Sequence, residues 1–238
     1  MRLALAALAL LVAAPAQAQL TACKLPERLA VPRKSEPSDR QPRRILPIGN
    51  YTLALSWSPE HCAGRERPGS FQCEGQGNRF GFILHGLWPN GRGALWPQYC
   101  RPAQTLPPAI LRQNLCATPS VDLLQHEWAK HGTCMSRTPD AYFDRARALY
   151  GAVRFPDMAA LAARGDLTRS AFIRAFVGAN RHGATGLTEQ GLRVQLSRDG
   201  WLEEVRLCLD RDLRFAACAR NAGPAGASGE KMRIRMRP

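Results

Sequence analysis

The chain has 238 residues, 45% of them hydrophobic and 22% charged, with 33 Lys and Arg against 19 Asp and Glu for a formal net charge of +14. An apolar share of that size supplies one ordinary globular core and argues against a disordered chain. The charge excess points to a polyanion as partner, nucleic acid first and anionic envelope surfaces behind it.

The N-terminus differs in kind from the rest. Met1-Arg2 precedes an apolar run over residues 3–14 and an Ala16-Gln17-Ala18 ending, the pattern of a secretory signal peptide at residues 1–18, cut after Ala18. The run is too short for a membrane span, and no later stretch approaches the required length, so the mature chain is expected to be exported without a span. All eight cysteines lie beyond the signal: Cys23, Cys62, Cys73, Cys100, Cys116, Cys134, Cys208 and Cys218. An even count in an exported chain suggests four disulfides, and the wide spacings without a C-x-x-C pair make zinc the weaker reading.

Residues 19–47 are rich in Pro and charge (Pro26, Arg33, Lys34, Pro37, Arg43, Arg44) without periodicity, which reads as a mobile leader with Cys23 as its candidate anchor. Residues 51–57 alternate as a strand, ended by Ser58-Pro59. The loop that follows, to Gly77, holds Cys62 and Cys73 as a local pair. Residues 80–84 form a short apolar run, a buried strand that delivers His85-Gly86-Leu87-Trp88-Pro89-Asn90 at its C-terminal end, a common place for an active-site side chain. A lone histidine there is more often structural, and Trp88 and Trp96 would ordinarily be plain hydrophobes. Beside a polyanion site they become stacking platforms for bases.

Residues 91–120 read as loop with one short helix at 109–115. A central helix is expected over 121–131. At about 100° per residue, His126 stands at zero, Lys130 at about 40°, Glu127 at about 100° and His131 at about 140°, so four ionisable groups share one side. Gly132 is expected to stop the helix. The zinc-peptidase motif H-E-x-x-H needs histidines four apart on adjacent turns, whereas here they are five apart, a poor geometry for one metal. An incidental surface helix explains poorly why two of the five histidines sit with a carboxylate and an ammonium within six residues.

Further helices are expected over 139–153, 155–163 and 167–176, the last with Thr168 as N-cap. Residues 192–197 and 201–209, joined through Arg198-Asp199-Gly200, read as a hairpin, with Cys208 and Cys218 closing a loop beside it. Gly, Ala and Pro dominate after Ala219, so residues 221–238 read as a flexible basic tail, whose end alternates Lys231, Arg233 and Arg235 with Met and Ile like an edge strand. Helices in the middle and antiparallel strands at either end indicate an α+β fold, a central antiparallel sheet packed against several helices, with the catalytic domain at 48–220.

Were His85 and His131 to face one groove, one imidazole would take a proton and the other deliver one. RNA offers that reaction: a 2′-hydroxyl attacks the adjacent phosphorus and the 5′-oxygen leaves. Lys130 and a protonated His126 are suited to the charge that develops, while Glu127 either hydrogen-bonds a phosphoryl oxygen or fixes its neighbours.

Two segments carry a resemblance. Phe82-Ile83-Leu84-His85-Gly86-Leu87-Trp88-Pro89 and His126-Glu127-Trp128-Ala129-Lys130-His131-Gly132-Thr133-Cys134 resemble the two active-site segments of the ribonuclease T2 family, exported ribonucleases of plants and bacteria. Weaker similarity extends from Tyr51-Thr52-Leu53 to Glu204-Val205-Arg206-Leu207-Cys208-Leu209. The resemblance implies a disulfide-stabilised fold and metal-free, cofactor-free cleavage of single-stranded RNA through a 2′,3′-cyclic phosphate, with little base specificity. It implies His131 as base, His85 as acid, His126 as phosphate ligand, Lys130 and Glu127 as stabilisers of the pentacoordinate state, and Trp88 and Trp96 against a base. Asn90 stands where the family often has Asp, which leaves base preference open. The resemblance also suggests Cys100–Cys134; Cys62–Cys73 and Cys208–Cys218 are the next choices, leaving Cys23 with Cys116. A monomer is expected. The rival is a catalytically silent RNA- or envelope-binding protein on the same fold.

Overall fold

A computed structural model describes residues 20–63, 70–74, 77–184, 186–219 and 226–236. The signal peptide expected at 1–18 and the Gly/Pro-containing stretch 221–225 lie outside the described residues. The centre is a four-stranded antiparallel sheet in the order β4-β2-β6-β5. It is built from β2 (Ile48–Trp57), β4 (Phe82–Gly91), β5 (Leu192–Leu196) and β6 (Leu202–Leu209). A small two-stranded sheet pairs β1 (Leu20–Ala22) with β3 (Arg79–Phe80).

Strand alternation assigns the faces. Leu53 and Leu55 of β2 lie opposite Leu207 and Val205 of β6, and all four are buried in the core. Thr52, Ala54 and Ser56 lie opposite Cys208, Arg206 and Glu204, so the polar positions of the two strands gather on the other face. That second face carries the site.

The helices are α1 (Ser58–Ala63), α2 (Phe71–Glu74), α3 (Pro108–Asn114), α4 (Val121–Glu127), α5 (Thr133–Met135), α6 (Pro139–Ala152), α7 (Met158–Ala162) and α8 (Arg169–Ala179). Several start where a side chain accepts a freed backbone N–H. Ser120 caps α4 through Leu123, Thr138 caps α6 through Ala141, Asp157 caps α7 through Ala160, and Thr168 caps α8 through Ala171. Aromatic rings then close the core: Phe82 stacks on Phe155 at 4.8 Å and meets Phe176 edge-on at 6.2 Å. The Tyr150 hydroxyl donates to the Phe82 carbonyl at 2.7 Å. No helix among the described residues is long and apolar enough to cross a membrane.

The eight cysteines form Cys23–Cys116, Cys62–Cys73, Cys100–Cys134 and Cys208–Cys218. In the stretch expected as loop around Cys62 and Cys73, the bridge joins two short helices, α1 and α2.

Three expectations need correction. The leader is not a mobile strand of chain: from Cys23 onward it is laid along the body. Arg33 donates to Asp122, Gln98 Nε2 donates to the Pro42 carbonyl at 2.7 Å, and Arg44 exchanges backbone hydrogen bonds with Gln98. Composition marked the absence of helix or strand, but an irregular segment is held as firmly when its backbone groups find partners. The tail is likewise docked over 226–236. Arg169 N donates to Glu230 O, Met232 N to Leu167 O and Leu202 N to Arg233 O, while Met232 and Ile234 are buried.

The third correction concerns Gly132. The helix does not stop there. A π-helical turn, Trp128–Gly132, follows α4 and runs into α5, and Gly132 itself has helical angles of φ −60° and ψ −41°. A Cβ on Gly132 would lie 2.4 Å from the Trp128 ring and 2.9 Å from Tyr142, so glycine is required by close packing and not by a left-handed cap. The extra residue in the turn also alters the angular spacing read from an ideal helix. π-Bulges of this kind are frequent at functional sites.

Candidate active site

His85 lies inside β4 and not at the strand end expected for it, at the point where the pairing with β2 slips. Leu55 pairs with Leu84 and Ala54 with Gly86, so His85 is the unpaired extra residue of a β-bulge. Bulges re-aim side chains, and this one turns the imidazole onto the polar face. There its Nδ1 lies 2.6 Å from Glu204 Oε2 and 3.1 Å from Ser56 Oγ. The Ser56 hydroxyl donates to the same carboxylate oxygen at 3.1 Å, and Arg206 Nε donates to the other at 2.7 Å. On the opposite side of the ring, Nε2 faces Glu127 Oε1 at 3.7 Å.

Glu127 closes the floor. It is 2% exposed, and its Oε2 accepts from Trp88 Nε1 at 2.9 Å and from the Tyr142 hydroxyl at 3.5 Å. The carboxylate sits where a side chain at position 86 would be, since a Cβ on Gly86 would lie 1.9 Å from Glu127 Oε2. Trp88 is the spacer between the two halves of the site. Its ring centroid is 5.0 Å from that of His85 and 5.7 Å from that of His131. The Arg206 guanidinium also lies over the indole, at 5.3 Å.

His126, Lys130 and His131 come from α4 and the π turn. The His126 and His131 rings are 6.5 Å apart. His131 is 6% exposed, and its Nδ1 is buried without a hydrogen-bond partner. The leader reaches this side too: Ser35 Oγ is 3.0 Å from His126 Nδ1 and 3.3 Å from the Tyr99 hydroxyl. A cavity of about 660 Å³ opens beside His85 and His126, with Lys34, Ser35, Ser56 and Gln72 also on its wall.

The two halves hold their protons differently. For His85 burial disfavours the cation, but the Glu204 hydrogen bond and the charges of Glu127 and Glu204 outweigh it, and the pKa rises above 6.5. His131 goes the other way. Burial first, then Lys130, His126 and His85, hold it well below the ordinary histidine range. Burial and Lys130 bring His126 down to about 4. At neutral pH His126 is therefore uncharged in the free protein, a departure from the protonated His126 expected from sequence. Burial lifts Glu127 to about 7, against the pull of His85, Trp88 and Lys130. Glu204, despite burial, is taken down to about 2 by His85 and Arg206. For Lys130, burial lowers the pKa while Glu127 opposes.

The residues expected against a base are less alike than the sequence suggested. Trp88 is enclosed by His85, His131 and Arg206. Trp96 is 42% exposed, with the Arg44 guanidinium 4.8 Å over its ring and its Nε1 donating to Gln98. The Asn90 amide nitrogen is committed to Asn50 Oδ1 at 2.7 Å and Thr52 Oγ1 at 2.9 Å. Among the described residues no group of three or more His, Cys, Asp or Glu is placed to hold a metal ion.

Sequence reasoning missed Ser56, Glu204 and Arg206. The signal was present in the hairpin: with Val205 and Leu207 facing the core, Glu204 and Arg206 must share the other face. What no pattern states is that Glu204 ends beside a histidine 119 residues earlier in the chain.

Comparison with known proteins fits this geometry. The model of the Ribonuclease T2 family matches residues 48–218. A ribonuclease of Aeromonas hydrophila is 33% identical over 163 residues, covering 68% of this chain and 72% of that protein. A probable ribonuclease of Haemophilus influenzae is 37% identical over 124 residues, 47% of this chain and 45% of its own length, so the aligned stretch spans less than half of that relative. Among solved structures, an RNase-related protein from Calystegia sepium superposes with a TM-score of 0.58 over 75% of this chain and 95% of its own, at 24% identity, a likeness of fold.

Proposed function

The chain belongs to the ribonuclease T2 family, and from that premise we propose that it is an exported endoribonuclease that cleaves single-stranded RNA by transesterification, leaving 2′,3′-cyclic phosphate ends. His131 takes the proton of the 2′-hydroxyl and His85 gives one to the departing 5′-oxygen. One observation carries this reading: two imidazoles flank one indole, yet one has its pKa raised and the other has it held well down. A base must start neutral and an acid must start protonated, so the assignment of roles follows from environment.

Charge builds on the phosphoryl oxygens as the 2′-oxygen attacks. Lys130 supplies a cation for it, and His126, neutral beforehand, supplies a ring N–H while Ser35 engages its Nδ1. Glu127, at about 7, is a protonated donor in part of the population near neutrality and a carboxylate in the rest. Neutralisation of the phosphorane by these groups needs no metal. Low base specificity is supported by Asn90, whose amide nitrogen is engaged by Asn50 and Thr52. Export, to the periplasm or beyond the cell, is supported by the signal-like N-terminus and the four disulfides.

The test is a dinucleotide such as CpA incubated with the mature protein in excess EDTA. Cyclic phosphate on the released cytidine is the expected product. Intact dinucleotide alongside bound RNA of shifted mobility would point to the silent binder, and cleavage lost in EDTA would reject the metal-free mechanism.

A further inference from the structure

Outside the two motif segments, the site contains one buried carboxylate that the reaction as described does not use. Glu204 sits on β6, opposite Ser56 of β2 in register, and is 7% exposed. Both of its oxygens are engaged, Oε1 by Arg206 and Oε2 by Ser56 and His85. A carboxylate held on both sides cannot swing into the groove to act on substrate. It can fix what it touches, and the imidazole it touches belongs to the bulge residue of β4, whose ring has no cross-strand partner of its own.

We infer that Glu204 is a positioning residue for His85: by accepting the Nδ1–H it sets the tautomer and turns Nε2 into the groove as the proton-donating atom. This rests on the ribonuclease reading above and adds to it a residue outside both motif segments. In the step itself, the His85 Nε2–H bond breaks as the P–O5′ bond breaks. The P–O5′ electron pair stays on the 5′-oxygen, which takes the proton, and His85 is left neutral with its remaining proton on Nδ1. Glu204 changes neither bond nor charge. Its effect is to favour the imidazolium over the free ring and to leave Nε2 as the nitrogen that releases a proton, the logic by which a carboxylate partner orients a histidine elsewhere.

Of the other groups around His85, Glu127 and His126 come from α4, His131 from the π turn and Arg206 from β6 beside Glu204; His61 of α1, Asp122 of α4 and Arg33 and Lys34 of the leader line the same cavity, while Ser56 and Trp88 are uncharged. Glu127 also favours the imidazolium but faces the other ring nitrogen, Nε2, at 3.7 Å, a weaker hold than 2.6 Å. Arg206 opposes protonation of His85, and its tie to Glu204 keeps the carboxylate aimed.

The experiment is nitrogen-15 NMR of the histidine rings in the parent and in Glu204→Gln, read together with pH profiles of dinucleotide cleavage. In the parent, neutral His85 should carry its proton on Nδ1. In Glu204→Gln the His85 titration midpoint should fall by about one unit, the alkaline arm of kcat/KM should move down with it, and kcat should drop about ten- to hundredfold with KM within about twofold, the scale seen for partners of ligating histidines. A folded Glu204→Gln protein whose His85 midpoint stays in place, whatever its melting temperature, overturns the inference. Should that variant not fold, the parent spectrum decides alone, since Nδ1 found unprotonated in the neutral ring would overturn it equally. Because the ring titration is read without substrate, a protein that cleaves no RNA but shows the shifted midpoint would sink the ribonuclease reading and leave the Glu204–His85 pairing standing.

Discussion

The strand side and the helix side of the groove use the same residue type to opposite ends. On the sheet, His85 has a carboxylate on either side, Glu204 of β6 at Nδ1 and Glu127 of α4 toward Nε2, and these raise its pKa. On the helix, the buried His131 and the half-buried His126 have each other and Lys130 for company, and burial together with those charges lowers both pKa values. The histidines themselves do not differ chemically. What differs is the setting: the sheet face brings Glu204 of β6 against His85, whereas burial first and Lys130 second weigh against the cations of His126 and His131, and Glu127 of the same helix turns its carboxylate toward His85.

The largest way to break the contrast is to remove either ring. His85→Phe or His131→Phe should each lower kcat on a dinucleotide by roughly 10² or more, as for general acid-base groups. If both variants turned over like the parent, the roles given to the two rings would be wrong. A milder change sharpens the contrast from the helix side. Lys130 depresses both His126 and His131, so Lys130→Met should let both rise toward 6.5, carrying the acidic arm of kcat/KM to higher pH. Loss of the cation should also cost about tenfold or more in kcat. An acidic arm that moved down, or not at all, would count against the charge coupling.

Where the two sides meet, Gly86 holds them in register. Gly86→Ala puts a methyl group into the Glu127 carboxylate and near Trp88 Nε1, so the floor must shift. Overpacking of this kind costs about 1–3 kcal/mol, and differential scanning calorimetry together with a fall in activity would show it. The smallest effect is expected far from the groove. Arg33→Ala removes an ion pair whose arginine side chain is 78% exposed, and should change stability by less than about 1 kcal/mol in chemical denaturation.

How much of this was legible in the sequence depends on whether the information is local. His126, Glu127, Lys130 and His131 share a side in an α-helical reading, because their spacing is local and offsets of one, four and five residues all fall within about 140° of the first. The α+β class and the start of α8 at Thr168 were legible for the same reason. The bulge at His85 was not, since a bulge exists only in the register between two strands, and neither strand alone states it. The π turn was hidden by the assumption of ideal helical spacing. Leader and tail were misread because composition reports the absence of periodicity, whereas they are held by scattered contacts: the Cys23–Cys116 bridge, Leu25 and Leu29 against the core, ion pairs of Arg33 and Glu230, backbone hydrogen bonds, and the buried Met232 and Ile234. Glu204 is the sharpest case: its strand position was readable, its partner was not.

The contrast between the two sides can be measured in one sample. Ring-proton resonances of His85 and His131 followed by NMR from pH 3 to pH 9 in the substrate-free protein should give a midpoint above 6.5 for His85 and one well below 6.5 for His131. Coincident midpoints, or the reverse order, would contradict the assignment of acid and base to the two sides of the groove.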